Sequence, residues 1–146
     1  MPNIEGAIYF SSKSFERNPN GWNDSLQNNY YRYPALIPAM PWIDTASIEK
    51  PDVVLIGNNA YTNGSTIEMR NKEKAKKIKS FIVYGFNIND STRNQSNPAN
   101  IVKIIPAITD SIQYITPHTG SKVKRVAVSC IDFQNNESEM VFLKQK

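Results

Sequence analysis

The sequence predicts a mainly β protein, in which a seven-stranded antiparallel sandwich follows one short strand and one helix. From Pro51 onward, short apolar runs are separated by turn residues at the spacing typical of a sandwich. Before that point, one apolar run and one helical stripe lead into a proline-rich stretch. Nine prolines and a hydrophobic content of 40% agree with a chain that favours strands and turns over long helices.

The first segment has the pattern of one strand and one helix. Gly6 to Phe10 (GAIYF) is an apolar run that predicts a strand, and Asn18-Pro19-Asn20-Gly21 predicts a turn. A helix is predicted over Trp22 to Tyr33, because an apolar side chain recurs there every three or four residues; its end is expected at Tyr33, which precedes a proline. One strand and one helix cannot close a core, so we expect this segment to be the end of a larger domain.

The stretch from Pro34 to Trp42 (PALIPAMPW), which we call the strap, has an unusual composition. Its prolines exclude a helix or a central strand, and its apolar residues make a free linker unfavourable. We therefore expect the strap to lie on a protein surface.

Seven strands are predicted after the strap, with the turns Asn63-Gly64, Asn97-Pro98, Pro117 to Gly120 and Asn135-Asn136 between them. The alternation of apolar and polar residues places Val126, Val128 and Cys130 on the core face of the sixth strand. The predicted strands are Asp52 to Ile56, Ser65 to Arg70, Ser80 to Asn87, Ile101 to Ile105, Ser111 to Thr116, Lys122 to Asp132 and Glu139 to Lys144.

The third predicted strand is apolar on both faces. If Phe81 and Val83 fill the core, then Ile82, Tyr84 and Phe86 must be covered from outside. A neighbouring loop such as Ile88 to Asn100 is one candidate cover, and an interface with the strap or with a preceding domain is another. A third interpretation is a surface on which the rings of Tyr84 and Phe86 stack on a sugar.

Charge and composition exclude several function classes. The formal charge is +4, and much of the excess lies in Arg70 to Lys79 (RNKEKAKKIK). This segment is expected to be a solvated loop, and nucleic acid is not favoured as a partner because no aromatic side chains interleave its lysines. The single cysteine, Cys130, is expected to be buried, and the lone His118 has no second ligand nearby, so neither a metal nor a cofactor is expected. No apolar run is long enough for a transmembrane segment.

Two stretches resemble known families. The residues VAVSCIDFQNNES, from Val126 to Ser138, resemble the end of a bacterial fibronectin type III-like domain, which has the immunoglobulin-like sandwich fold. Met69 departs from that pattern, since it stands roughly where a core tryptophan is common. The first segment and the strap resemble the end of the TIM barrel in glycosyl-hydrolase-like proteins of the Bacteroidetes type. These resemblances imply a truncated barrel end over residues 1–44 and a sandwich over residues 45–146.

The resemblance also implies a function. A glycosidase needs two carboxyl groups across the scissile bond, and the predicted barrel strand end offers only Ser11, Ser12 and Lys13, which are expected at most to contact substrate in the whole barrel. The chain is therefore expected to be a non-catalytic accessory module that braces or spaces the missing N-terminal barrel of an exported glycoside hydrolase, in the periplasm or at the cell surface, where it could be a lipoprotein. The expected interdomain contacts are Trp22, Tyr30, Trp42, Ile82, Tyr84 and Phe86. The alternative is a carbohydrate-binding module that targets the parent enzyme to glycans.

Overall fold

The computed structural model describes residues 12–59, 64–72, 77–87, 95, 97–116 and 125–143. They fall into two compact units that divide between Pro34 and Ala35. This division lies ten residues before the predicted boundary after residue 44. The predicted strand from Gly6 to Phe10 lies outside the described residues.

The first unit is helical over its described part. Helix α1 spans Ser12–Arg17, a 3-10 turn spans Pro19–Gly21, and helix α2 spans Trp22–Ser25 before a π-helical turn over Leu26–Tyr30. The predicted turn at Asn18 to Gly21 is present: Asn18, Asn20 and Gly21 all have the positive φ angles that asparagine and glycine tolerate best. The Asn18 side chain fixes the start of α2 because its Oδ1 accepts a 2.7 Å hydrogen bond from the Asn23 N–H.

The predicted end of this helix at Tyr33 is wrong by three residues. The Tyr31 N–H donates to the Leu26 carbonyl at 2.8 Å, and Tyr31 itself leaves the helical region with a φ of −112°. This wide last turn stops the helix at Tyr30. Leu26 is buried, whereas Tyr30 and Tyr33 are exposed.

The second unit contains seven strands in two antiparallel sheets among its described residues, as the turn spacing predicts. The first sheet has the order β1-β2-β5 and the second the order β4-β3-β6-β7. Their bounds are β1 Asp52–Asn59, β2 Gly64–Arg70, β3 Ile78–Phe86, β4 Ile101–Pro106, β5 Ser111–Ile115, β6 Arg125–Asp132 and β7 Val141–Phe142. A 3-10 turn, Pro98–Asn100, leads into β4.

The main differences from the predicted strands are at their ends. Strand β1 continues three residues beyond Ile56 through an irregularity between Leu55 and Gly57. Strand β7 has only two residues, and before it the chain makes a tight turn and meets β6 at an isolated bridge between Ile131 and Glu137. Residues 122–124 of the predicted sixth strand lie outside the described residues.

The first core lies between the two sheets. Ile67 and Met69 of β2 meet Phe81 and Val83 of β3 there, together with Val128 and Cys130 of β6. The predicted inward placement of Phe81, Val83, Val128 and Cys130 is confirmed. Met69 is fully buried, so a methionine occupies a central core position.

A second core covers the outer face of the second sheet. It is built around Ile82, Tyr84 and Phe86 of β3, with Ala127 and Ile131 of β6, Ile101 of β4 and the half-buried Leu36, Ile104, Met140 and Phe142 packed against it. Strand β3 is therefore buried on both faces, as its sequence pattern requires. No helix among the described residues is long and apolar enough to cross a membrane.

Candidate functional site

The strap lies on the second sheet of the second unit. Leu36 packs against the second core, and the Met40 N–H donates a 2.9 Å hydrogen bond to the carbonyl of Gln134. Just beyond the strap, the Asp44 carbonyl accepts a 3.2 Å hydrogen bond from the Asn136 side chain. The chain from residue 36 to residue 44 is thereby fastened to the turn that follows β6.

That turn is organised by one buried carboxylate. Asp132 is 2% exposed, and its Oδ1 accepts hydrogen bonds of 2.9 Å from the backbone N–H groups of both Gln134 and Asn136. Its Oδ2 accepts a third, of 3.0 Å, from the Asn136 side chain. At the apex, Asn135 has a φ of 61°, a left-handed conformation that asparagine adopts more readily than most residues. This turn places Glu137 beside the second sheet.

Glu137 is the most conspicuous polar side chain of this region. Its Oε1 accepts hydrogen bonds of 2.5 Å from both the Tyr84 hydroxyl of β3 and the Ser129 hydroxyl of β6. Burial, with the neighbouring Glu137 carboxylate as a further cause, raises the pKa of Tyr84 far above its usual value, so Tyr84 stays a hydrogen-bond donor. Two hydroxyl groups from the sheet therefore hold one carboxylate in a fixed position.

Glu137 lines two clefts. The first has a volume of about 340 Å³. Its walls are the strap residues 35–39, Pro98 and Ile101, with Gln95, Asn135 and Glu137 as polar groups. Two of these polar groups are themselves held in place: Gln95 donates to the Ser138 carbonyl at 2.9 Å, and Asn135 Oδ1 accepts a 2.8 Å hydrogen bond from Lys79 Nζ.

The second cleft is larger and more polar, with a volume of about 420 Å³. It is lined by residues 47–50, Lys72 and residues 137–139, so it carries charges of both signs. Glu137 belongs to both clefts and stands at the junction between them.

The first cleft carries groups suited to recognition by hydrogen bonding. Among its described lining residues, Glu137 is the one that carries a carboxyl group, whereas glycoside hydrolysis ordinarily uses two. The described residues also contain no group of three or more side chains suited to hold a metal ion. An apolar wall facing a few fixed polar groups is the usual composition of a small-molecule binding site.

The predicted site residues are distributed over both units. Ser11 lies outside the described residues, and Ser12 and Lys13 are exposed in the first turn of α1. Trp22 is half-buried and contacts Phe15, with 5.0 Å between the ring centroids, while Tyr30 is 80% exposed. In the second unit, Trp42 is 78% exposed.

The other three predicted interdomain contacts are covered within the second unit itself. Ile82, Tyr84 and Phe86 are 0% exposed beneath Leu36, Met140 and Phe142. The strap was one of the covers expected from the sequence, and it contributes Leu36. The chain after the β6 turn contributes Met140 and Phe142, a cover that sequence reasoning missed. The rings of Tyr84 and Phe86 do not reach the surface on which a sugar would stack. Their contact with another domain stays a prediction.

The remaining sequence candidates have ordinary surroundings where they are described. Arg70 forms a 2.7 Å ion pair with Glu68, and Lys79 is engaged by Asn135; residues 73–76 of the basic segment lie outside the described residues, as does His118. Cys130 is buried as predicted, with its Sγ 3.4 Å from the Glu49 carbonyl. The sequence also predicts that Asp132 hydrogen-bonds the backbone of the turn toward Asn136, and its Oδ1 does so.

Glu137 is the residue that sequence reasoning missed. The signal available was its position: it follows the Asn135-Asn136 turn directly, opposite β6, whose outer face carries Ser129. Pairing across the β6 turn brings Glu137 next to Ile131, and hence toward Ser129 on the same face two residues away.

Comparison with known proteins gives one informative similarity. No protein-family model matches the chain, and no solved structure matches it. Among curated proteins, the chain is 32% identical over 81 residues to the glycosyl hydrolase YngK of Bacillus subtilis (strain 168). The similar region covers 56% of this chain but only 16% of that protein. The chain is thus similar to a small part of a glycosyl hydrolase, which agrees with the resemblance of its sequence to glycosyl-hydrolase-like proteins.

Proposed function

We propose that this chain is the non-catalytic C-terminal accessory part of an exported glycosyl-hydrolase-like protein that acts on carbohydrate. The observation that carries this proposal is the similarity of 81 residues to a fraction of a glycosyl hydrolase. In this proposal, the seven strands of the second unit are a fibronectin type III-like sandwich, and the first unit is the end of the catalytic barrel. The sandwich braces the barrel or spaces it from another surface.

Exposed apolar side chains in both units support a contact with further protein. Tyr30 is 80% exposed in the first unit, and Trp42 and Ile37 are 78% and 58% exposed in the second. Leaving one large apolar side chain in water forgoes about 1.5–3 kcal/mol relative to burying it. A preceding barrel that covered these residues would gain this free energy and would fix the accessory unit against it.

The test compares this chain with a longer protein that includes the proposed barrel. Oxidation by hydroxyl radicals, located by peptide mass spectrometry, reports on Trp22 and Trp42 individually in both proteins, whatever other tryptophans the longer protein contains. We expect Trp42 to be oxidised readily in the isolated chain and slowly in the longer protein, with a higher thermal midpoint for the β unit. Equal oxidation rates and equal midpoints would contradict the bracing role.

The absence of catalysis is tested separately. We expect the longer protein to hydrolyse at least one member of a polysaccharide panel, and this chain alone to hydrolyse none of them. Hydrolysis by this chain that was lost in Glu137→Gln would contradict a non-catalytic role and place the reaction at the first cleft.

A carbohydrate-binding module is the second candidate function, and a specific feature favours it. The sugar-stacking surface expected from Tyr84 and Phe86 is buried, but the first cleft presents a fixed carboxylate next to an apolar wall. That cleft gives the binding hypothesis a different location from the one expected from the sequence.

A further inference from the structure

The first cleft has the two kinds of surface that a sugar ring requires. A pyranose has hydroxyl groups around its edge and C–H groups on its faces. The cleft offers Leu36, Pro38 and Ile101 as apolar walls, and Asn135 and Glu137 as polar groups on the turn. Each surface of the ring therefore has a matching surface in the cleft.

The Glu137 carboxylate is prepared for such a ligand by groups that do not use all of its hydrogen-bonding capacity. Tyr84 and Ser129 both donate to Oε1, whereas an ionised carboxylate offers about four acceptor positions on its two oxygens. Both donors are 0% exposed and lie on the neighbouring strands β3 and β6. The groups that hold the carboxylate are therefore fixed within the sheet. Preorganisation of this kind reduces the entropy lost on binding.

The size of the cleft limits the ligand. Its volume of about 340 Å³ is at the lower end of the range for small-molecule sites, about 300–1,000 Å³, and suits one or two sugar rings.

We propose that the first cleft binds one ring of a neutral saccharide, with Glu137 accepting hydrogen bonds from adjacent hydroxyl groups and the strap contacting the face of the ring. This inference rests on the carbohydrate part of the proposed function, and it adds a binding site to a unit otherwise proposed as a brace. It does not depend on contact between the sandwich and a barrel.

The test uses the whole chain labelled with nitrogen-15 and titrated separately with maltose, cellobiose, lactose and chitobiose to 50 mM. We expect at least one disaccharide to give saturable chemical-shift changes at the backbone amides of residues 36–40 and 135–137. Absence of saturable changes with all four sugars would overturn the proposal, as would changes confined to residues away from the cleft.

Two matched variants locate the site without altering Glu137. Ala39 lines the cleft and is exposed, so Ala39→Phe is expected to fill the cleft and to weaken binding at least tenfold while the thermal midpoint is retained. Ala46, an exposed alanine outside the cleft, provides the control, and Ala46→Phe is expected to bind like the unmodified chain. Equal binding by the two variants would place the ligand elsewhere.

Glu137→Gln tests the carboxylate itself. The amide oxygen still accepts from Tyr84 and Ser129 but carries no charge, so we expect the dissociation constant to rise at least fivefold. An unchanged dissociation constant would remove Glu137 from the site. The two proposals fail in different ways. If the cleft binds no sugar, these titrations fail but Trp42 is still shielded in the longer protein. If the accessory role is wrong, the tryptophans stay unshielded and the parent protein is inactive on polysaccharides.

Discussion

At the scale of single residues, buried polar side chains determine the shape of the chain after β6. Asp132 satisfies two backbone N–H groups and one side-chain amide within a turn of five residues. Such groups are costly to leave without partners in the interior. Within the turn, the Gln134 carbonyl accepts a hydrogen bond from Met40 of the strap. Just after the turn, the Glu137 carboxylate accepts one from Ser129 of the sheet.

Replacing Asp132 should therefore destabilise the fold. Asp132→Ala removes three hydrogen bonds from half-buried donors, and a fully buried donor left unpaired costs about 1–3 kcal/mol. We expect the free energy of unfolding in urea to fall by about 2 kcal/mol or more. Asp110→Ala, at an exposed aspartate, is the control and should change stability by less than about 0.5 kcal/mol. Equal effects of the two substitutions would contradict the role assigned to Asp132.

Tyr84 predicts a dependence of stability on alkaline pH. Burial raises the pKa of Tyr84 above its unfolded value of 10.0, so between these two pKa values the folded state holds a proton that the unfolded state releases. The stability that this proton confers is present below about pH 10 and is lost as the pH rises further. We expect urea unfolding between pH 8.5 and pH 11 to show a steep loss of stability above pH 10.

The substitution Tyr84→Phe should reduce that alkaline loss. It should also lower stability at pH 7 by about 1 kcal/mol or more, since it removes one hydrogen bond to a charged group. Tyr114, whose pKa is also raised by burial, gives the control: Tyr114→Phe should keep the Tyr84 contribution to the alkaline loss. An identical pH profile in Tyr84→Phe and the unmodified chain would contradict the assignment.

At the scale of elements, β3 and the strap depend on each other. Strand β3 pairs with β4 and with β6, and both of its faces are apolar. One face is closed by the first sheet, and the other requires material from outside the two sheets. Leu36 of the strap supplies part of that cover, which explains the leucine at this position of a proline-rich stretch.

Adjacent strap residues offer a direct test of this dependence. Leu36 is packed against the second core, whereas its neighbour Ile37 is 58% exposed. We expect Leu36→Ala to lower the free energy of unfolding by about 1–2 kcal/mol, less than the 2–5 kcal/mol typical of fully buried leucines because Leu36 is only half-buried. Ile37→Ala should change stability by less than about 0.5 kcal/mol. The reverse order, measured by urea unfolding, would contradict the observed packing of the strap.

At the scale of the whole molecule, the contacts of the strap place it with the β unit. The described chain divides after Pro34. The segment from Ala35 to Asp44 contacts the second unit through the Leu36 side chain and through backbone hydrogen bonds of Met40 and Asp44. The boundary after residue 44 expected from the resemblance would leave the strap with the preceding domain.

Two shortened chains distinguish these boundaries. Residues 35–146 keep the strap, and residues 45–146 lose it together with the cover from Leu36. We expect residues 35–146 to unfold cooperatively, with a thermal midpoint within a few degrees of the full chain. Residues 45–146 should unfold at a midpoint lower by about 4 °C or more, the shift expected for a loss of about 1 kcal/mol in a domain of this size. Equal midpoints for the two shortened chains would contradict a structural role of the strap in the β unit.

Much of the β unit can be predicted from the sequence, because local chemistry decides it. Turn residues at regular spacing determine seven strands, and the alternation in β6 determines which of its residues enter the first core. The doubly apolar pattern of β3 shows that its outer face must be covered. The candidate site was not predictable in this way, because Glu137 meets Tyr84 from a stretch of chain 53 positions away.

The sequence by itself determined the elements, the first core and the need for a second cover, since hydrophobic periodicity and turn propensity act over a few neighbouring residues. Only the tertiary structure decided what supplies that cover, where the strap lies and which residues line the clefts. These outcomes depend on contacts such as Leu36 with the second core and Tyr84 with Glu137, which are 53 positions apart. Contacts between distant positions follow from the pairing of strands and the packing of sheets, and no local pattern encodes them.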